Sequence, residues 1–139
     1  MKEFKLMIFV FVVSGLLLFC VESPVVASIV KPDLKVTSVS DVPASIALGK
    51  SFSVTDKVLN NGKKAAKAFT VRYYFSLDKI KSGNEILPNT RRVKSLKAKK
   101  YSTGTSIITV PINMPLNSYY LLACADDTNE IKESNEKNN

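Results

Sequence analysis

The side chains with the greatest chemical reach in this sequence fall into three groups. The first is acidic: Asp126, Asp127, Asn129 and Glu130 stand together near the C-terminal end, with Glu133 just beyond. Carboxylate and amide oxygens at this density suit a hard cation such as calcium, which takes about six to eight oxygen ligands. The spacing departs from an EF-hand loop, because no glycine breaks the run and Ile131 occupies a ligand place. A turn in which Asx and Glu side chains accept main-chain N–H bonds is the simpler account, and no metal is assigned.

The second group is basic. Arg91, Arg92 and Lys94 precede Lys97, Lys99, Lys100 and then Tyr101. Such a segment can bind an anionic polymer, a glycan or cell-wall polysaccharide in an exported chain. It can equally shield an edge strand, since lysines discourage pairing with a neighbouring chain. The third group is aromatic: Tyr73, Tyr74, Phe75, Tyr119 and Tyr120. Exposed tyrosines stack on sugar rings, but a period of two sends about half of these into a core, and the chain has no tryptophan.

What is missing narrows the chemistry further. The chain has no histidine, the commonest general base and metal ligand. With one cysteine outside the first 27 residues, neither a Cys-His nucleophile pair nor a tetrahedral zinc site can be assembled. No glycine pattern cradles phosphate, and no serine stands in a recognisable nucleophile context. The expectation is a non-enzyme without cofactors.

Short alternating runs, punctuated by Gly, Pro, Asn and Asp, must position these groups. Strands are expected at 34–37, 51–59, 69–77, 86–96, 106–112 and 118–125. The clearest is 69–77, where Phe69, Val71, Tyr73, Phe75 and Leu77 share one face. In 51–59, Asp56 falls in the apolar phase of Phe52, Val54 and Val58, a conflict unless it is paired or the strand bulges. Asn60-Asn61-Gly62 signals a turn, because these residues adopt positive φ cheaply. Ile108, Val110 and Ile112 alternate inward, and the nearly all-apolar 118–125 reads as a central strand buried on both faces. No helical period is present. An all-β Greek-key or immunoglobulin-like sandwich follows.

The N-terminus lies outside that domain. Two lysines lead into the apolar run 6–21, and Val25-Val26-Ala27 offers small and β-branched residues for cleavage after Ala27. Residues 1–27 are therefore expected to form a signal peptide, helical in its apolar run. That run is shorter than the roughly 20 residues of a spanning helix; a retained anchor is the alternative. A lipoprotein reading through Cys20 fails because Phe19 is too bulky. Export makes nucleic acid an unsuitable partner and confines membrane contact to this segment. The net charge of +8 is uneven: five acids from Asp126 onward outnumber Lys132 and Lys137, so the positive excess lies before them. A basic body suits an anionic partner, and a solvated lysine-rich surface is the simpler reading. Removal of Cys20 leaves Cys124 odd, which means a missing partner, an intermolecular bond or a buried thiol.

Several segments together resemble a known family. Pro32-Asp33-Leu34, Gly49-Lys50-Ser51-Phe52-Ser53-Val54-Thr55 and Val58-Leu59-Asn60-Asn61-Gly62 are similar to the opening of CARDB domains, the cell-adhesion-related domain found in bacteria. The likeness continues through Arg72-Tyr73-Tyr74-Phe75-Ser76-Leu77-Asp78 and Ile86-Leu87. It is closest at Tyr119-Tyr120-Leu121-Leu122-Ala123-Cys124-Ala125-Asp126 and Glu133-Ser134-Asn135-Glu136-Lys137-Asn138-Asn139, and spans residues 32–139. The resemblance implies a seven-stranded immunoglobulin-like sandwich on exported proteins, a spacer or adhesion module with no catalytic residues. It also implies a disulfide between Cys124 and a cysteine beyond Asn139, followed by a final strand. On that comparison the sandwich is expected to lack its last strand, either as a fragment or because a partner donates one. The functional expectation is an exported surface or adhesion module with an unknown protein or glycan partner, secreted or on the cell surface. The alternative is a module binding anionic polysaccharide through 91–100.

Overall fold

The computed structural model describes residues 29–138; the expected signal segment 1–27, with Cys20, lies outside them. Six strands follow one another: β1 (Leu34–Ser40), β2 (Ser51–Asn60), β3 (Phe69–Ser76), β4 (Ile86–Val93), β5 (Tyr101–Thr109) and β6 (Tyr120–Ala125). They make two three-stranded antiparallel sheets, ordered β1-β2-β5 and β4-β3-β6. This is the expected all-β sandwich. The family resemblance implies seven strands, and six are found among the described residues.

The pleat explains the core. Alternate residues of β2 (Val54, Val58), β5 (Ile108) and β3 (Phe69, Val71, Tyr73) are fully buried and pack as one cluster between the sheets. Burying a side chain of this size is worth about 1.5–3 kcal/mol. Strand ends differ from the sequence expectation. Leu77 is 63% exposed because β3 stops at Ser76, and Ile112 is 80% exposed because β5 ends before Pro111. β5 instead begins at Tyr101, through a Ser-Thr-Gly stretch with no apolar alternation. There it pairs with β2 partly through hydroxyls, Thr55 against Thr105 at 3.2 Å. The segment 118–125 is not a central strand. β6 starts at Tyr120, pairs only with β3 among the described strands, and leaves Leu121, Leu122 and Ala123 half-buried.

Asn60-Asn61-Gly62 is likewise not a positive-φ hairpin, because β2 and β3 belong to different sheets. Asn60 is wholly buried and acts as a hub: its Oδ1 accepts Asp33 N–H and Gly62 N–H, and its Nδ2 donates to the carbonyls of Lys64 and Leu96. Glycine is needed at 62 for closeness: a Cβ there would lie 2.5 Å from the main chain of Lys31 and Pro32. An isolated bridge between Ala66 and Leu96 then ties the β2–β3 loop to the β4–β5 loop.

The apolar phase of β2 is interrupted by Asp56, fully buried, and β4 supplies its partner. Arg91 Nε donates to Asp56 Oδ2 at 2.7 Å while Nη2 bonds Oδ1, a two-pronged pair bridging the sheets. Tyr73 Oη donates to Asp56 Oδ2 at 2.6 Å and lies 3.0 Å from Ser106 Oγ. Burial, then the bond to Asp56, pushes the Tyr73 hydroxyl above its ordinary range, so it stays a donor. Gly104, directly opposite Asp56 on β5, leaves the channel open. A Cβ there would come within 2.6–2.7 Å of Arg91 Cδ, Nε and Cζ.

Asp56→Ala is expected to destabilise the domain by about 3–5 kcal/mol in a denaturant melt, because it strands a mostly covered guanidinium between the sheets. The double change Asp56→Leu/Arg91→Met should recover most of that loss. Gly104→Ala should cost about 1–3 kcal/mol by overpacking, since Arg91 is held at its tip and cannot swing aside.

Candidate functional site

The acidic group does not converge. Asp126, wholly buried with φ at +55°, accepts N–H bonds from Glu130 (3.1 Å) and Ile131 (2.7 Å) and so shapes its own turn. Burial raises its carboxyl above the usual range against those two N–H donors. Asp127 takes the hydroxyl of Tyr74 and stands 3.7 Å from Lys81 Nζ. Tyr74 is pushed to about 12 by burial and by that neighbour. Glu130 faces outward and binds Arg92 Nη1 at 2.6 Å and Thr70 Oγ1 at 3.1 Å; Arg92 first, then Thr70, holds its carboxyl below the usual range. Asn129 sits exposed at φ +54°. Glu133 points elsewhere, accepting Leu34 N–H at the start of β1. Among the described residues, no three Asp, Glu, His or Cys side chains gather as a metal centre.

The basic group also divides. Arg91 points between the sheets, mostly covered, with its charge already paired to Asp56. It lies opposite Val71, and Val93 two residues on is buried, so the parity of β4 marks it as inward. Arg92 lies on the outer face, engaged with Glu130 and Thr70. Lys94, Lys97, Lys99 and Lys100 occupy the β4–β5 connection, all exposed. Lys99, at φ +60°, donates its N–H to Asn60 O at 2.8 Å and its ammonium to Asn61 O.

The Ala66–Leu96 bridge brings a second lysine set alongside. Lys63, Lys64 and Lys67, exposed on the β2–β3 loop, share one end of the sandwich with Lys94, Lys97, Lys99 and Lys100. These three lie about 30 residues earlier in the chain, and the bridge together with the Asn60 side chain joins their loop to the others. Lys57 Nζ sits 4.3 Å over the half-exposed ring of Tyr101 beside them. Clustered ammonium groups with few acids between them create a positive potential that attracts a polyanion.

The aromatic group offers no sugar platform. Tyr73, Tyr74 and Phe75 are buried, and Tyr119 packs edge-on against Phe75 with ring centres 6.3 Å apart. Within this group only Tyr120, 46% exposed, presents much ring to solvent. At the end opposite the lysines lies a groove of about 370 Å³ among Ile46, Leu48, Phe52, Met114 and Leu116. Cys124 is a buried free thiol, pushed to about 11 by burial and by the charge of Asp127.

With this geometry in view, comparison with known proteins places the chain. The CARDB family profile matches residues 31–139. The structure is similar to the CARDB domain of a Pyrococcus furiosus protein in complex with di-metal ions. That match has 26% identity and a TM-score of 0.59 over 81% of this chain and 90% of the other. It is also similar to a domain of a candidate cell surface protein from Methanosarcina acetivorans, at 25% identity and TM-score 0.56, covering 78% and 85%. No curated protein matches the chain. The profile match runs from Lys31 through all six strands, and the two-sheet sandwich agrees with solved structures of such domains. The chain belongs to the CARDB family.

Proposed function

We propose that this chain is an exported, non-enzymatic module of the cell surface or extracellular space that works by binding rather than by catalysis. The relation to a domain of a candidate cell surface protein supports the location, and the apolar run 6–21 before Ala27 supports export. The buried polar side chains most able to do chemistry, Asp56, Arg91 and Tyr73, are engaged with one another, which favours a structural role for them. Adhesion or spacing between larger partners is the activity that fits such a sandwich.

A second reading draws on one observation, the seven exposed lysines that two loops bring to one end. In this reading the module holds an anionic cell-wall or extracellular polysaccharide, with Lys63, Lys64, Lys67, Lys94, Lys97, Lys99 and Lys100 as the contact surface. Arg91 has no part in it, and Arg92 contributes only at the margin.

Two outcomes are expected. The protein recovered from its producing cells should begin at Ser28 by intact mass; a product retaining residues 1–27 in full would count against cleavage there. Binding to an anionic polysaccharide should weaken as salt is raised, since screening shortens to about 8 Å at physiological ionic strength. Lys64→Glu/Lys97→Glu should weaken it by about tenfold or more at unchanged melting temperature. Affinity untouched by that double change would remove the lysine-rich end from the account.

A further inference from the structure

We infer that Glu133, Asn138 and Asp33 form a calcium site that fastens the C-terminal segment to the start of β1. This site is independent of the lysine-rich end, and the way its oxygens are held points to it. Glu133 is 3% exposed, and its Oε2 accepts Leu34 N–H while its Oε1 has no hydrogen-bond partner among the described residues. The residue just before β1, Asp33, accepts Asn138 Nδ2 on its Oδ1 at 2.9 Å. The buried Oδ1 of Asn138 likewise has no partner among the described residues. Consecutive residues 33 and 34 thus engage Asn138 and Glu133, each of which keeps one buried oxygen without a partner among the described residues.

A bare buried oxygen costs about 1–3 kcal/mol, more when charged. Here it is aggravated by company, because the charges of Asp126, Glu136 and Asp33 all act unfavourably on Glu133. The ammonium of Lys31 donates to the main-chain oxygen of Glu133 at 3.3 Å. Asp33 has its other oxygen on Asn61 Nδ2 at 3.0 Å, which fixes the carboxylate without neutralising it. Two carboxylates and a carboxamide, with no sulfur or imidazole, form a hard-oxygen donor set. It suits calcium, with water completing the shell, rather than zinc or copper. The site excludes Asp127 and Glu130, which are engaged with Tyr74 and Lys81 and with Thr70 and Arg92.

Two short contacts already orient the segment for this. Ser134 N–H donates to Pro32 O at 2.9 Å, and Glu133 N–H to Glu136 Oε1 at 2.7 Å. A cation bridging residues 133–138 and 33 would close the same seam that these bonds begin.

The test is thermal melting of the full chain with calcium chloride. At pH 8, about 10 mM calcium should raise Tm by about 5–15 °C, as expected for the submillimolar to millimolar affinity of extracellular modules. Glu133→Gln keeps the acceptor for Leu34 N–H but removes the charge, and should reduce the shift to about 1 °C or less. Asn138→Ala should at least halve it, while Asp41→Asn, an exposed carboxylate past the far end of β1, should leave it intact. No shift at pH 8, or an equal shift in Glu133→Gln, would each overturn the site.

Discussion

The bond between Asp56 and Arg91 governs how this sandwich is put together. One carboxylate and one guanidinium, from different sheets, meet in the interlayer space with Tyr73 as a third member. An ion pair in that position adds little net stability over a well-packed apolar pair, yet removing one partner is severe. What it supplies is register. Asp56 must face Gly104 across the β2–β5 ladder for Arg91 to enter, and Arg91 must oppose Val71 for its side chain to point inward. A slip of one residue in either sheet would turn one of these groups toward solvent. Two sheets with only three strands each, and no disulfide among the described residues, therefore have one polar reference point at their centre.

The two ends of the molecule are built differently around that centre. At one end, Asn60 and the Ala66–Leu96 bridge draw two loops together, and those loops carry the lysines. Among the described residues, the ion pairs of this region belong to the arginines, Arg91 within and Arg92 on Glu130. The C-terminal segment is tied by a different logic. Asp126 closes its turn with its own carboxylate, and Glu133 with Asn138 reaches residues 33 and 34. Carboxylates that read as one cluster along the chain thus serve four separate sets of partners.

Much of this architecture is legible in the amino-acid sequence. The alternation in β3 marks Phe69, Val71, Tyr73 and Phe75 as core, and the phase of Asp56 signals a buried partner without naming it. The partner's identity is not legible, because Arg91 sits among five other basic residues and composition pulls the eye toward a surface patch. Its parity with buried Val93 is the available signal. Periodicity misplaces β5, because hydroxyl pairs do there what apolar alternation does elsewhere, and a hydrophobic pattern does not register them. The lysines of the β2–β3 loop do not stand out along the chain, because only a tertiary contact brings them beside the β4–β5 loop. Gly62 has the look of a turn former and is required for contact distance instead.

The proposed division of labour is that charge inside the sandwich holds the sheets, while charge on the two bridged loops would bind an anionic partner. Amide and arginine side-chain NMR shifts, followed while an anionic polysaccharide is titrated into labelled protein, test it directly. The account predicts progressive shifts for residues 63–67 and 94–100, with the Arg91 Nε–H signal and the amides of Asp56 and Ser106 unmoved. Shifts confined to the groove around Phe52 and Met114, or to the outer edge of β6, with the lysine loops silent, would contradict it.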